Sequence, residues 1–249
     1  MSKKLLSIVF TCFISFAVIG QAGPQLNQGV VSSGAPFNWT KVAKWKSDLN
    51  NKTLTLQNDV NIPLSDIEGS MYLNEFFVVG STYHLDKAHH GLPMRYNAFS
   101  DEIEVKRAGK TDLEALHRTS DISCEINNQK FVFSKYTNAQ NEMKKGYLIT
   151  LTSGKNYTLY ERKSKVFRKA EKAKTSFHSD TPNKFVDRNG FYLASGNGTP
   201  RHFKGSKKEL AKFFGADNAS SLKSFVKENK IDLNQKMDLT RLVTYANSL

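Results

Sequence analysis

A chain of 249 residues is long enough to bury a core without metals or disulfides, and it fits one large domain or two small ones. With 39% hydrophobic and 24% charged residues, 17 Phe and 9 Tyr, it carries too much apolar surface for disorder to be its main state. The formal net charge of +13 points to anionic neighbours, although excess lysine also serves simply to keep a surface soluble.

The first predicted element is a secretory signal over residues 1–22. Lys3 and Lys4 make its basic start, Leu5 to Ile19 its apolar run, and Gly20-Gln21-Ala22 supplies small residues for a signal peptidase. The run is shorter than the ~20 residues that span a bilayer, and no later stretch is apolar enough to cross one. Cleavage removes both lysines, so the charge of the mature chain is expected at +11. It also removes Cys12, leaves Cys124 alone and rules out an internal disulfide. Cys124 alternates with polar residues in Ile122-Ser123-Cys124-Glu125-Ile126, which predicts a buried strand cysteine; a nucleophile would need a base beside it in space.

Residues 23–51 read as a lead-in, flexible from Gly23 to Pro36. After that, Trp39, Val42, Ala43 and Leu49 share a helical face capped by Asn38, while Trp45 fits a strand better. From Lys52 the period becomes two. Leu54 and Leu56, then Val60, Ile62 and Leu64 after the Asn58-Asp59 turn, predict a hairpin. Phe76 to Leu85 predicts a strand with a bulge or bend at Gly80. Met94, Tyr96 and Ala98 share a face, Ser100-Asp101 turns the chain, and Ile103 and Val105 alternate with exposed Glu102, Glu104 and Lys106. Further strands are expected at Ile122–Ile126, Phe131–Phe133, Tyr147–Leu151, Tyr157–Leu159 and Phe191–Leu193, with Asn189-Gly190 as a turn. Arg162 to Lys174 is strongly basic, either an edge strand guarded by lysines or a mobile segment. Close spacing without crossover helices argues for antiparallel pairing. Lys207 to Phe214 predicts a helix closed by Gly215, Ser220 or Ser221 caps a second, and Met237 to Asn247 makes a third.

Two groups are candidates for chemistry. His84, Asp86, His89 and His90 carry metal-ligand types, but on the expected Asp86–Gly91 hairpin loop they read as a solvated turn, and no metal or other cofactor is predicted. Arg95, Tyr96, Asp101 and Glu102 form a possible binding group around the Ser100-Asp101 turn. An inward arginine there needs a carboxylate across the hairpin. No nucleophile elbow, zinc-helix, phosphate-loop or dinucleotide motif is present.

Tyr72-Leu73-Asn74-Glu75-Phe76, then Gly80 and Tyr83, Leu92-Pro93-Met94-Arg95-Tyr96-Asn97 and Asp101-Glu102-Ile103-Glu104 resemble a group of exported proteins of Bacteroidota-type bacteria with no assigned activity. The resemblance implies envelope location and a β-rich body. The Ala88-His89-His90-Gly91 stretch departs from it, since a Lys-Asp-Gly-like turn is expected there.

Together these readings predict a β-rich α+β fold. An antiparallel sheet, sandwich or partly open barrel spans 52–205, and a helical segment spans 206–249. The expected function is a non-catalytic exported protein, periplasmic or surface-associated, that binds an envelope protein, a glycan or an anionic lipid surface rather than nucleic acid. The alternative is an exported hydrolase whose Asp, Glu and His residues meet on loops. Sequence alone assigns no catalytic residue.

Overall fold

The computed structural model describes residues 37–45, 53–55, 61–110, 112–173, 175 and 179–249. The expected signal at 1–22, the lead-in to Pro36, Leu49 and the Asn58-Asp59 turn lie outside these residues. Helix α1 (Trp39–Val42) is a single turn. The Asn38 side chain caps it by accepting from the Lys41 N–H, and the chain then extends into β1 (Ala43–Trp45), so this stretch contains both predicted conformations in succession. A small hairpin, β2 (Thr53–Thr55) with β3 (Asn61–Pro63), puts Leu54 opposite Ile62, while Leu64 starts a short 3-10 turn instead of prolonging the strand.

The next four strands are β4 (Val78–His84), β5 (Lys87–Asn97), β6 (Glu102–Lys106) and β7 (Leu113–Leu116). Leu85 and Asp86 alone make the β4–β5 turn, with Leu85 at φ +53. His89 and His90 are therefore strand residues, which corrects the loop expected over Asp86–Gly91. The bulge expected at Gly80 is present, with the register shifting between Gly80 and Thr82. A Cβ on Gly80 would come 2.4 Å from the Glu125 carbonyl oxygen, so the backbones approach there more closely than any side chain permits.

Then come β8 (Ile122–Ile126), β9 (Gln129–Thr137), β10 (Met143–Ser153), β11 (Tyr157–Arg162), β12 (Lys165–Arg168), β13 (Lys184–Asp187), β14 (Gly190–Ser195) and β15 (Arg201–Phe203). Among the described residues eleven strands join one sheet in the order β1-β7-β6-β5-β4-β8-β9-β10-β11-β14-β15. All neighbouring pairs in that order are antiparallel. One parallel bridge, Arg201 to Thr137, returns β15 to β9 and closes β9, β10, β11, β14 and β15 into a ring. The sheet is thus a partly closed barrel, with β1 as its free edge. The basic stretch after Arg162 is β12, paired with β13 in a separate hairpin that covers Phe99 with Phe185.

Alternation sets the two main cores. Met94, Tyr96, Ile103, Ile122, Cys124, Phe131, Tyr147 and Ile149 bury one of them. Leu159, Leu193 and Phe203 form the sheet side of the other, covered by α2 (Lys207–Phe214), α3 (Ala216–Glu228) and α4 (Lys236–Ala246). Gly215 closes α2 as predicted, at φ +82. It also stands just before α3, which starts at Ala216 instead of behind a Ser220 or Ser221 cap. No helix among the described residues is long and apolar enough to cross a membrane.

Candidate functional site

The sequence-predicted group divides between the two faces of β5. Arg95 lies between the rings of Tyr72 (3.7 Å) and Phe77 (4.5 Å). Its Nε donates to Glu104 Oε2 (2.7 Å), Nη1 to the Glu75 carbonyl (3.1 Å) and Nη2 to the Tyr72 hydroxyl (2.7 Å). Glu104, expected to be wet, is 1% exposed because it is this arginine's partner. Arg95 and Tyr96 border a cavity of about 410 Å³ beside exposed Leu73 and Phe76, but every nitrogen of Arg95 is already engaged. Glu102 accepts from the Ser100 hydroxyl (3.2 Å).

Tyr96 and Asp101 point the other way and meet a residue that sequence reasoning missed. Asp101 occupies the left-handed region at φ +57, which an aspartate tolerates in a turn. Its Oδ1 accepts from the Tyr96 hydroxyl (2.6 Å), the Tyr147 N–H (3.2 Å) and Arg162 Nη1 (3.4 Å). Burial, and then the Asp101 charge, hold the Tyr96 hydroxyl well above its ordinary pKa, so it remains a donor. Burial works against the charge on Arg162. Asp101, Tyr96 and Tyr136 outweigh it and keep the guanidinium firmly protonated.

Arg162 opens into a cavity of about 380 Å³ where the strand ring meets the β12–β13 hairpin. Four bases line it: Lys144 from β10, Arg162 from the end of β11, Lys165 from β12 and Arg188 from the turn before β14. Their carboxylate partners Glu142, Asp101 and Asp187 are not among the lining residues. Tyr136 and Tyr192 supply the aromatic wall, with ring centres 5.0 Å apart and edge to face. Burial and the neighbouring Tyr136 push the Tyr192 hydroxyl up to about 12. Neither hydroxyl has a hydrogen-bond partner among the described residues.

His202 stands edge-on to Tyr192, 5.4 Å between ring centres, and its buried Nδ1 has no partner among the described residues. Burial and then Lys204 hold it below its ordinary value, so it is neutral at pH 7. With Asn189 and Gly190 it also borders a second cavity of about 350 Å³. There buried Glu161 is clamped by Lys163 (2.5 Å) and Lys236 (3.3 Å).

The histidine group diverges. His84 pairs with Asp121 (3.1 Å), His90 Nδ1 with the Ser81 hydroxyl (2.8 Å), and His89 packs on Phe37 and Trp39. Among the described residues no three His, Cys, Asp or Glu side chains converge as metal ligands. Cys124 is fully buried, and burial followed by the Glu125 charge raises its thiol well above the ordinary value, so it does not form a thiolate.

The chain matches no family model, no curated protein and no solved structure. The signal that pointed to the pocket was present but unread. Arg162 has the parity of Tyr160, opposite to core Leu159, and two in-strand glycines, Gly146 and Gly190, leave room beside it and beside His202. Strand glycines mark such close approaches.

Proposed function

We propose that the chain is an exported, non-catalytic protein of the cell envelope, of the Bacteroidota-type group it resembles, and that it binds an anionic glycan. The observation that carries this reading is the lining of the 380 Å³ cavity: four bases, tyrosine rings and side-chain amides, and no carboxylate. A cavity of that size takes a sugar-sized group and is too small for a protein element. The signal-like first residues and the +13 net charge support it from outside the pocket. Glycoside hydrolysis uses two facing carboxylates, and this wall supplies bases where those would stand. That chemistry favours retention over cleavage.

Affinity electrophoresis of the mature chain through gels holding an acidic polysaccharide, a matched neutral one or anionic vesicles tests the reading. Retardation by the acidic glycan alone, weakening with salt, is the expected result. Equal mobility in the acidic and neutral gels contradicts it, and retardation by vesicles alone reassigns the partner to lipid.

A further inference from the structure

We propose that Arg162 is a preset receptor for one oxyanion, taking the carboxylate or phosphate of an acidic sugar side-on through Nε and Nη2, with the Tyr136 and Tyr192 hydroxyls beside it. This rests on the anionic-glycan reading above and narrows it to the group recognised. The Arg162 side chain is 15% exposed. Its Nη1 donates to Asp101 (3.4 Å) and to the Tyr147 carbonyl (3.3 Å), and the Tyr96 hydroxyl also lies against the guanidinium. Nε and Nη2 have no partner among the described residues, and the open space beside this side chain is the cavity. These nitrogens are not among the buried unpaired polar atoms, so they reach the open space and stay available to a ligand. A free Nε–Nη2 edge presents two parallel donors that match a carboxylate or a phosphate.

The fork is also held still. Asp101, fixed by Tyr96 and the Tyr147 N–H, anchors one end, and the guanidinium lies 5.2 Å from the Tyr136 ring centre. Gly146 is what lets this pair sit over β10, because a Cβ there would fall 2.4 Å from Asp101 Oδ2 and 3.1 Å from Arg162 Nη1. Arg95 is the internal contrast, since its three nitrogens are all engaged by protein groups. A fork with its outer edge free, fixed from behind and facing a cavity lined by further cations, is built to receive an anion.

Calorimetric titration of the mature chain with glucuronate, inorganic phosphate and glucose, in wild type, Arg162→Lys and the double variant Tyr136→Phe/Tyr192→Phe, tests the proposal. Lysine keeps the charge and loses the fork. Saturable binding of glucuronate or phosphate, weakened about tenfold or more in Arg162→Lys, is expected, as one lost charge-assisted hydrogen bond implies. The stronger of the two ligands identifies the source of the oxyanion. If Arg162→Lys fails the wild-type melting profile, the double variant decides, with a loss of about threefold or more expected and unchanged binding overturning the proposal. Acidic polysaccharide retained by wild type and Arg162→Lys alike overturns the role of Arg162 and leaves the broader reading standing. No binding of any acidic ligand removes both.

Discussion

Arg95 and Arg162 show how the same side chain serves two ends. Both leave a strand amid tyrosines and both reach a carboxylate. Arg95 spends all its nitrogens on Glu104, Glu75 and Tyr72, which makes it a staple of the fold. Arg95→Leu takes the guanidinium from a carboxylate side chain that is 2% exposed, so a loss of about 3 kcal/mol is expected in urea unfolding, with acidic-ligand affinity unchanged in the folded fraction. Gly146→Ala should behave differently. Its Cβ displaces the Asp101–Arg162 pair, lowering stability by about 1–3 kcal/mol and weakening ligand binding together. His202 and His89 carry a pH signature. Burial comes first for both, followed by Lys204 for His202 and by His90 and Arg107 for His89, and both are held below 6.5. Below that value the unfolded chain takes up protons that the folded one resists. Their contribution to stability is therefore full above about pH 6.5 and declines as pH falls toward the folded values. Urea midpoints measured at about pH 8 and pH 5 should differ less in His202→Gln than in wild type; a wild type that gains stability on acidification contradicts this.

Among the elements, the helical end packs on the barrel through a shared apolar core, and Asn247 adds a polar clasp at its last turn. Asn247, just past α4, accepts from the Asn156 and Tyr157 N–H groups through Oδ1 (3.1 and 2.8 Å) and donates to the Tyr157 carbonyl through Nδ2 (2.9 Å). Gly154 in the β10–β11 turn leaves the space, since a Cβ there would meet the Asn247 amide at 2.3 Å. Asn247→Ala should lower stability by about 1–3 kcal/mol and raise hydrogen exchange at the β10–β11 turn first. Strands and helices with clean periods were legible in the sequence: the β2–β3 hairpin, though not its register, the Gly80 bulge, the Gly215 stop and the β10 and β11 strands all follow from local rules. What was not legible is non-local. The carboxylate that Arg95 needs across the hairpin was legible, and Glu104 supplies it, but nothing near Arg201 announces that it meets Thr137. The histidine pair was misplaced because a two-residue turn at Leu85-Asp86, with a leucine at positive φ, lacks the glycine or asparagine that usually marks one.

For the whole molecule, closure of the ring assembles the pocket. Tyr136, Lys144, Arg162, Tyr192 and His202 come from five strands spread over 67 positions of sequence, counted from 136 to 202, and no spacing motif could join them. The excess positive charge was visible from composition, but its focus was not, because that depends on which bases keep their carboxylates outside the cavity. The most direct measurement is NMR of the isotope-labelled mature chain titrated with an acidic oligosaccharide. Saturable shift changes gathered at Tyr136, Arg162, Arg188, Tyr192 and His202 are predicted. Changes scattered over the exposed lysines, or none at all, would contradict an anion-binding pocket at the ring's mouth.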